Sequence, residues 1–255
     1  MPDVWDPAQY QRFRKERAKP FHDLVALVEP RQAMRAVDLG CGAGDLTLVL
    51  HRTLAARETV GVDNSAAMLA QAPREAGLCF VQEEIEEFAP AEPFDLVFSN
   101  AALHWVPDHP ALLRRLTATL RPGGQLAVQV PMNDEHPSHV VAQELARKPD
   151  FRALLGGFER SSPLLAPTGY AEVLQRLGYA RQVVRVEIYG HLLESREQVI
   201  EWVRGALLTD YQKRLAPPDW ERFLQDYRTL LFAQLPDLRP FFYTYPRLFL
   251  WGALP

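Results

Sequence analysis

The chain predicts an α/β fold: a doubly wound, mostly parallel sheet of seven strands with a helical cap. Three observations carry that expectation. Between residues 34 and 131, short apolar runs alternate with segments of helical period, the pattern of a parallel sheet covered by helices on both faces. The first run, Val37-Asp38-Leu39, leads into Gly40-Cys41-Gly42-Ala43-Gly44 and then into a helix opening at Asp45. After Pro131 the rhythm loosens, and residues 195–234 are helical in period and rich in Trp, Leu and Arg, which is material for a cap.

Taken in order, residues 5–29 predict two helices. Asp6 caps the first with Pro7 at its first turn, Tyr10, Phe13 and Arg17 recur on one face, and Pro20 breaks it from the second. Such a helical lead-in is natural as a lid over a cofactor site. Strands follow at Ala36–Leu39, Thr59–Val62, Leu78–Val81, Phe94–Ser99 and Gln125–Val130. Between them lie helices at Leu46–Leu54, around Met68 and Leu69 after the Asp63-Asn64-Ser65 cap, and at Ala111–Leu120, which stops at Arg121-Pro122-Gly123-Gly124. Beyond Pro131 come a helix at Ser138–Arg147, a loop at Gly156-Gly157, a helix at Thr168–Leu177 ended by Gly178, and a strand at Ala180–Tyr189. The last strand starts near Arg247, because Pro246 cannot donate inside a central strand. The whole reads as one domain, with its core at about 31–131, 166–194 and 240–255 and its cap at 1–30, 132–165 and 195–239.

Composition narrows the function. With 47% hydrophobic and 24% charged residues the chain is globular, and a net charge of −4 gives no basic footprint for nucleic acid. Two cysteines, Cys41 and Cys79, do not make a disulfide framework. No apolar run approaches membrane-span length and no charged-then-apolar leader opens the chain, so a cytoplasmic protein with no membrane partner is expected.

In a doubly wound sheet, ligands bind outside the carboxyl ends of the strands. Gly40–Gly44, Asp63, Glu84 and Asn100 all fall at those ends. Glycines let the backbone approach a ligand, and an acid such as Asp63, about 20 residues on, suits a ribose diol. The spacing is Gly-x-Gly-x-Gly, and Asp45 stands where a pyrophosphate-binding turn keeps a glycine. A cofactor with ribose and adenine but no phosphate fits better. His136 and His139, with no third ligand at metal spacing, read as a solvated face, so no metal is expected. Cys41 is a small residue in the turn and not a nucleophile.

Asp38-Leu-Gly-Cys-Gly-Ala-Gly44, Gly61-Val-Asp-Asn-Ser65, Phe94-Asp-Leu-Val-Phe-Ser-Asn-Ala-Ala-Leu-His-Trp105 and Leu120-Arg-Pro-Gly-Gly124 together resemble class I S-adenosylmethionine-dependent methyltransferases, a Rossmann-like family. The flanks resemble the trans-aconitate 2-methyltransferase branch. They are Trp5-Asp6-Pro7 with Tyr10, Phe13 and Arg17, then Trp105-Val-Pro-Asp-His109, Gln129-Val-Pro131, Ile200-Glu-Trp-Val203 and Tyr245-Pro-Arg-Leu-Phe249. The chain departs from that branch at Ala206-Leu207-Leu208-Thr209-Asp210, where a Gly-Leu-Arg-Pro-like run is usual.

The resemblance implies S-adenosyl-L-methionine as cofactor. It implies that Asp38, Gly40, Gly42 and Gly44 pass its methionine part, that Asp63 takes the ribose, that Asn64, Met68, Glu84 and Ile85 surround the adenine, and that Asn100 lies beside the methionine. It implies esterification of a small carboxylic acid, trans-aconitate first, with Tyr10, Phe13, Arg17, Trp105 and Arg247 about the substrate and Arg17 or Arg247 clamping a carboxylate. Arg204, Tyr189 and His191 are weaker candidates for that clamp. A hydroxyl or carrier-bound carboxyl acceptor is the competing expectation, with His104 as general base in the hydroxyl case; a non-catalytic cofactor-binding module is another. Asn100-Ala101-Ala102-Leu103 lacks the Asx-Pro-Pro-aromatic run of enzymes that methylate nucleobase amines. A monomer or homodimer is expected.

Overall fold

The computed structural model describes residues 14–205 and 207–255, with side chains from Lys19 onward. The expected Asp6 cap, Tyr10 and Phe13 therefore lie outside the described residues, as does the side chain of Arg17.

Seven strands form one sheet in the order β3-β2-β1-β4-β5-β7-β6. They are β1 (Arg35–Leu39), β2 (Glu58–Asp63), β3 (Leu78–Gln82), β4 (Phe94–Asn100), β5 (Leu120–Pro131), β6 (Arg181–Leu193) and β7 (Phe241–Ala253). The first five are parallel; β7 runs antiparallel to both β5 and β6. The winding reverses between β1 and β4, and a crevice opens above their carboxyl ends. Strands β1 and β4 are buried on both faces, which explains their near-continuous apolar sequence.

Alternate residues of the strands feed two cores. On one face Val37, Val97, Val128 and Leu250 pack with α4 (His109–Thr117) and α7 (Pro167–Arg176). On the other, Ala36, Phe98, Ala127 and Trp251 pack with α1 (Arg14–Val25) and α2 (Asp45–Leu54). A short helix, α3 (Ala66–Leu69), follows β2. A third core is the cap: α5 (Pro137–Arg147), α6 (Pro149–Leu154), α8 (Glu197–Arg204), α9 (Thr209–Gln212) and α10 (Pro217–Gln234) close over Phe241, Tyr243 and Leu193.

Four expectations need correction. Pro20 does not break the lead-in; it sits inside α1. The interior proline costs about 3 kcal/mol, and full burial of Phe21 and Leu24 against the sheet offsets it. Helix α1 accordingly belongs to the sheet's covering layer and not to the cap. The Arg121–Gly124 segment follows the end of α4 but is itself part of β5, as a bulge: Phe94 pairs with Leu120 and Leu96 with Gln125. Finally, β7 begins at Phe241 and runs through Pro246. Register pairing with β5 stops at Arg247; beyond it Pro246 pairs with Ile188 of β6, and on the β5 side its carbonyl accepts from the N–H of Met132 at 3.0 Å. The rule against central proline is obeyed by ending the neighbouring strand. The β6–β7 pair then continues as a ribbon that carries the cap.

Candidate active site

A cavity of about 250 Å³ lies where the crevice meets the cap. The sheet supplies its floor. Asp38 comes from the end of β1, Gly40, Gly42 and Gly44 from the turn after it, Asn100 from the last residue of β4, and Arg247 from β7. Met68 and Gln71 close one end. His104 and Trp105 come from a single 3-10 turn, Leu103–Trp105. The cap adds His139 of α5, Trp202 of α8, and Arg160 from the segment between α6 and α7.

The glycines divide by role. A Cβ at Gly40 would overlap the Cβ of Ala102, and one at Gly44 would fall 2.5 Å from the Phe80 ring, so both are demanded by protein packing. Of the three, Gly42 alone has room for a Cβ, with Met68 Cε 3.4 Å from where it would stand. Its N–H donates to Asp63 Oδ2 at 2.8 Å, and Ser65 N–H donates to Asp63 Oδ1 at 2.9 Å. Asp63 thus clasps the turn to the end of β2.

Asp63, Asn64, Glu84 and Ile85 stand outside the cavity lining. Asn64 Nδ2 donates to Glu84 at 3.0 and 3.2 Å. Ile85 packs against the sheet core. Tyr189 is also elsewhere, donating to Asp23 of α1 at 2.6 Å, and Arg204 and His191 do not line the cavity.

Burial sets the electrostatics. Asp38 is 4% exposed and accepts from Thr47 Oγ1 at 2.7 Å; burial, with Asp63 nearby, pushes its carboxyl up to about 7. His104 has a buried Nδ1 with no partner among the described residues. Burial, then the charges of Arg160 and Arg247, hold its imidazole down at about 3, so it is neutral at physiological pH. Burial, with the charges of Asp38 and Asp63, raises the Cys41 thiol and keeps it protonated. The 3-10 turn is held from behind by His109. The carbonyl of Leu103 can only accept, so Nε2–H of His109 donates to it at 3.0 Å, and Nδ1 accepts from Tyr170 O–H at 2.5 Å.

Arg247 is not a solvated arginine. It is 4% exposed, and its Nη1 donates to Gln129 Oε1 at 3.2 Å. The two-residue strand period explains the placement. Tyr243 on the same face lies under the cap and Phe249 under α1, so Arg247 falls in the gap between those two cores. The solvated face expected at His136 and His139 is also wrong. His139 is 8% exposed, its Nδ1 bonded to Ser138 Oγ at 3.1 Å, and burial followed by the charge of Arg160 lowers it to about 3.

A stability prediction follows from His139. A histidine kept neutral by folding contributes fully above the unfolded pKa of 6.5 and loses that contribution as pH falls toward 3. From pH 6.5 to 5 the loss is about 2 kcal/mol. Asp38 works oppositely, since its raised carboxyl favours the fold at low pH. Urea unfolding of cofactor-free protein at the two pH values should therefore show a shallower acid-side loss in His139→Gln than in wild type; equal losses would refute it.

Sequence reasoning missed Arg160, Asn133, Asp134 and His139 as cavity residues. Arg160 and Asp134 lie outside helix and strand, where no periodicity marks a face. Among the described residues no cluster of His, Cys, Asp and Glu is arranged to hold a metal, and no helix is long and apolar enough to cross a membrane.

The donor set fits S-adenosylmethionine. Asn100 presents a buried Oδ1 with no partner among the described residues, an acceptor suited to an ammonium N–H. The open face of Gly42 admits a chain close to the backbone. A family model described as a methyltransferase domain matches residues 30–163. A trans-aconitate 2-methyltransferase of Deinococcus radiodurans is 42% identical over 247 residues, 94% of each chain. One of Streptomyces avermitilis is 41% identical, covering 91% of this chain and 90% of its own. The solved YcgJ protein of Bacillus subtilis superposes with a TM-score of 0.60 at 18% identity, over 93% of this chain and 98% of its own, and shares the fold. The chain belongs to the trans-aconitate 2-methyltransferase family, and S-adenosyl-L-methionine is its methyl donor.

Proposed function

We propose that this enzyme esterifies one carboxylate of a small polycarboxylic acid, trans-aconitate foremost. The observation that carries the reading is Arg247: a guanidinium, 4% exposed, on the same cavity as Asn100 and the Gly42 turn. A buried cation at the methyl-transfer site suits an anionic acceptor, and a guanidinium pairs a carboxylate through two parallel N–H donors.

When bound, S-adenosylmethionine supplies an electrophilic methyl group. Asn100 and the Gly40–Gly44 turn are the residues to hold its methionine part, with Asp63 toward the ribose and Met68, Asn64, Glu84 and Ile85 toward the adenine. The acceptor needs no deprotonation: carboxylates have pKa values near about 4 and are ionised at neutral pH. The protein's work is to orient one carboxylate oxygen and exclude water, and positioning alone supplies on the order of 7–11 kcal/mol. Arg247 fixes the acid, while Trp105, Trp202 and the cap shield the site.

His104 fits this chemistry better than base catalysis. An imidazole with a pKa of about 3 is a weak acceptor for a hydroxyl proton. With methyl-labelled cofactor, label should appear as a base-labile ester of trans-aconitate, and His104→Gln should keep the rate at saturating acid within about threefold. Label only on a hydroxyl acceptor, with His104→Gln slowing it by the ~10²–10⁴-fold of a lost general base, would overturn the reading.

A further inference from the structure

We propose that Arg160 selects a tricarboxylate over a dicarboxylate, by binding a carboxylate of the acceptor that is not methylated. The proposal rests on the reading above. Two guanidiniums, Arg160 and Arg247, line one cavity, and the charges of both bear on the imidazole of His104, which lines it too. One reacting carboxylate plus two cations make places for three carboxylates, the number trans-aconitate carries.

Arg160 is held in a way that suits this role. Its side chain is 15% exposed, and it sits between Asp134, after β5, and Asp210, on α9. Those contacts are 3.7 Å from Nη1 and 3.4 Å from Nε. A tight charge-assisted bond is about 2.7–2.9 Å, and this chain makes such bonds elsewhere: Arg181 grips Glu29 through two donors at 2.5 and 2.7 Å. Among the described residues, the Arg160 guanidinium therefore meets carboxylates through two long, single contacts of a fork with five N–H donors. The aspartates offset the cost of a buried cation and aim it, and the Trp105 ring lies 5.7 Å from the guanidinium carbon. A substrate carboxylate then meets a pre-oriented fork. Asp210 and Asp134 are positioning residues, and Arg160 is the contact.

The test compares trans-aconitate with mesaconate and cis-glutaconate, which lack different carboxyl groups of the triacid and keep its double-bond geometry. Arg160→Met should lower kcat/KM for trans-aconitate at least 30-fold, chiefly through KM, and leave at least one diacid within threefold, so that the wild-type preference collapses at least tenfold. Arg160→Lys should retain an intermediate preference. Cofactor affinity, read by tryptophan quenching, checks the fold; if Arg160→Met does not fold, Arg160→Gln is run on the same panel with the same expectation. Equal losses on triacid and diacids, or no change on either, overturn the proposal while leaving ester formation standing. A wild-type enzyme that binds cofactor but methylates no acid overturns the underlying reading and this proposal with it.

Discussion

Arg247→Met should lower kcat/KM for trans-aconitate by roughly 10²–10³-fold, the 2–5 kcal/mol range for truncating one partner of a buried, hydrogen-bonded charge pair. The loss should appear mainly in KM, because a clamp on a non-reacting carboxylate holds ground state and transition state alike. Cofactor affinity should stay within about threefold, since the Gly40–Gly44 turn follows β1 and Asn100 ends β4, and neither is part of β7. A structural role for Arg247 predicts the opposite pattern. Burying a guanidinium at 4% exposure carries a desolvation penalty that an apolar side chain of similar length does not. The melting temperature of the cofactor-free variant should therefore hold or rise. A lower melting temperature with unchanged KM would make Arg247 a structural residue only.

Gly40→Ala should be the most damaging single methyl in the chain. Gly40 sits at φ +75°, a region costing an L-residue roughly 1–2 kcal/mol, and its new Cβ would overlap that of Ala102, an overpacking worth a further ~1–3 kcal/mol. At about 2–4 °C per kcal/mol for a chain of this size, the melting temperature should fall by on the order of 5–15 °C. Cofactor affinity should fall with it, because the N–H groups of Gly40 and Cys41, at 2.8 and 3.0 Å from the Val62 carbonyl, set the shape of the turn. Adding Ala102→Gly removes the overlap but not the backbone strain, so the double variant should recover part of the stability. Wild-type stability in Gly40→Ala would show that the turn relaxes freely.

Much of this protein was legible in its residue order. The five parallel strands, the crevice they open and the position of Asp38, the glycines and Asn100 at its lip follow from local pattern, because period and turn chemistry act over a few residues. The same locality explains the misreadings. Pro20 and Pro246 are local breakers, but whether a missing N–H matters depends on what lies beside it: a buried apolar face for one, the end of β5 for the other. Glycines that signalled a ligand were in part demanded by Ala102 and Phe80, one of them 36 and the other 62 positions away in the chain. Charge placement was the least legible. Nothing near Arg247 in the sequence says that it falls in the gap between the core under α1 and the core under the cap, and nothing near Arg160 says that Asp134 and Asp210 will hold it in the same cavity. Fold class and cofactor turn are written in local periodicity. The surroundings of Arg247 and Arg160 come from tertiary packing, because a cation's environment is decided by which distant side chains exclude water from it and which are left to share its charge.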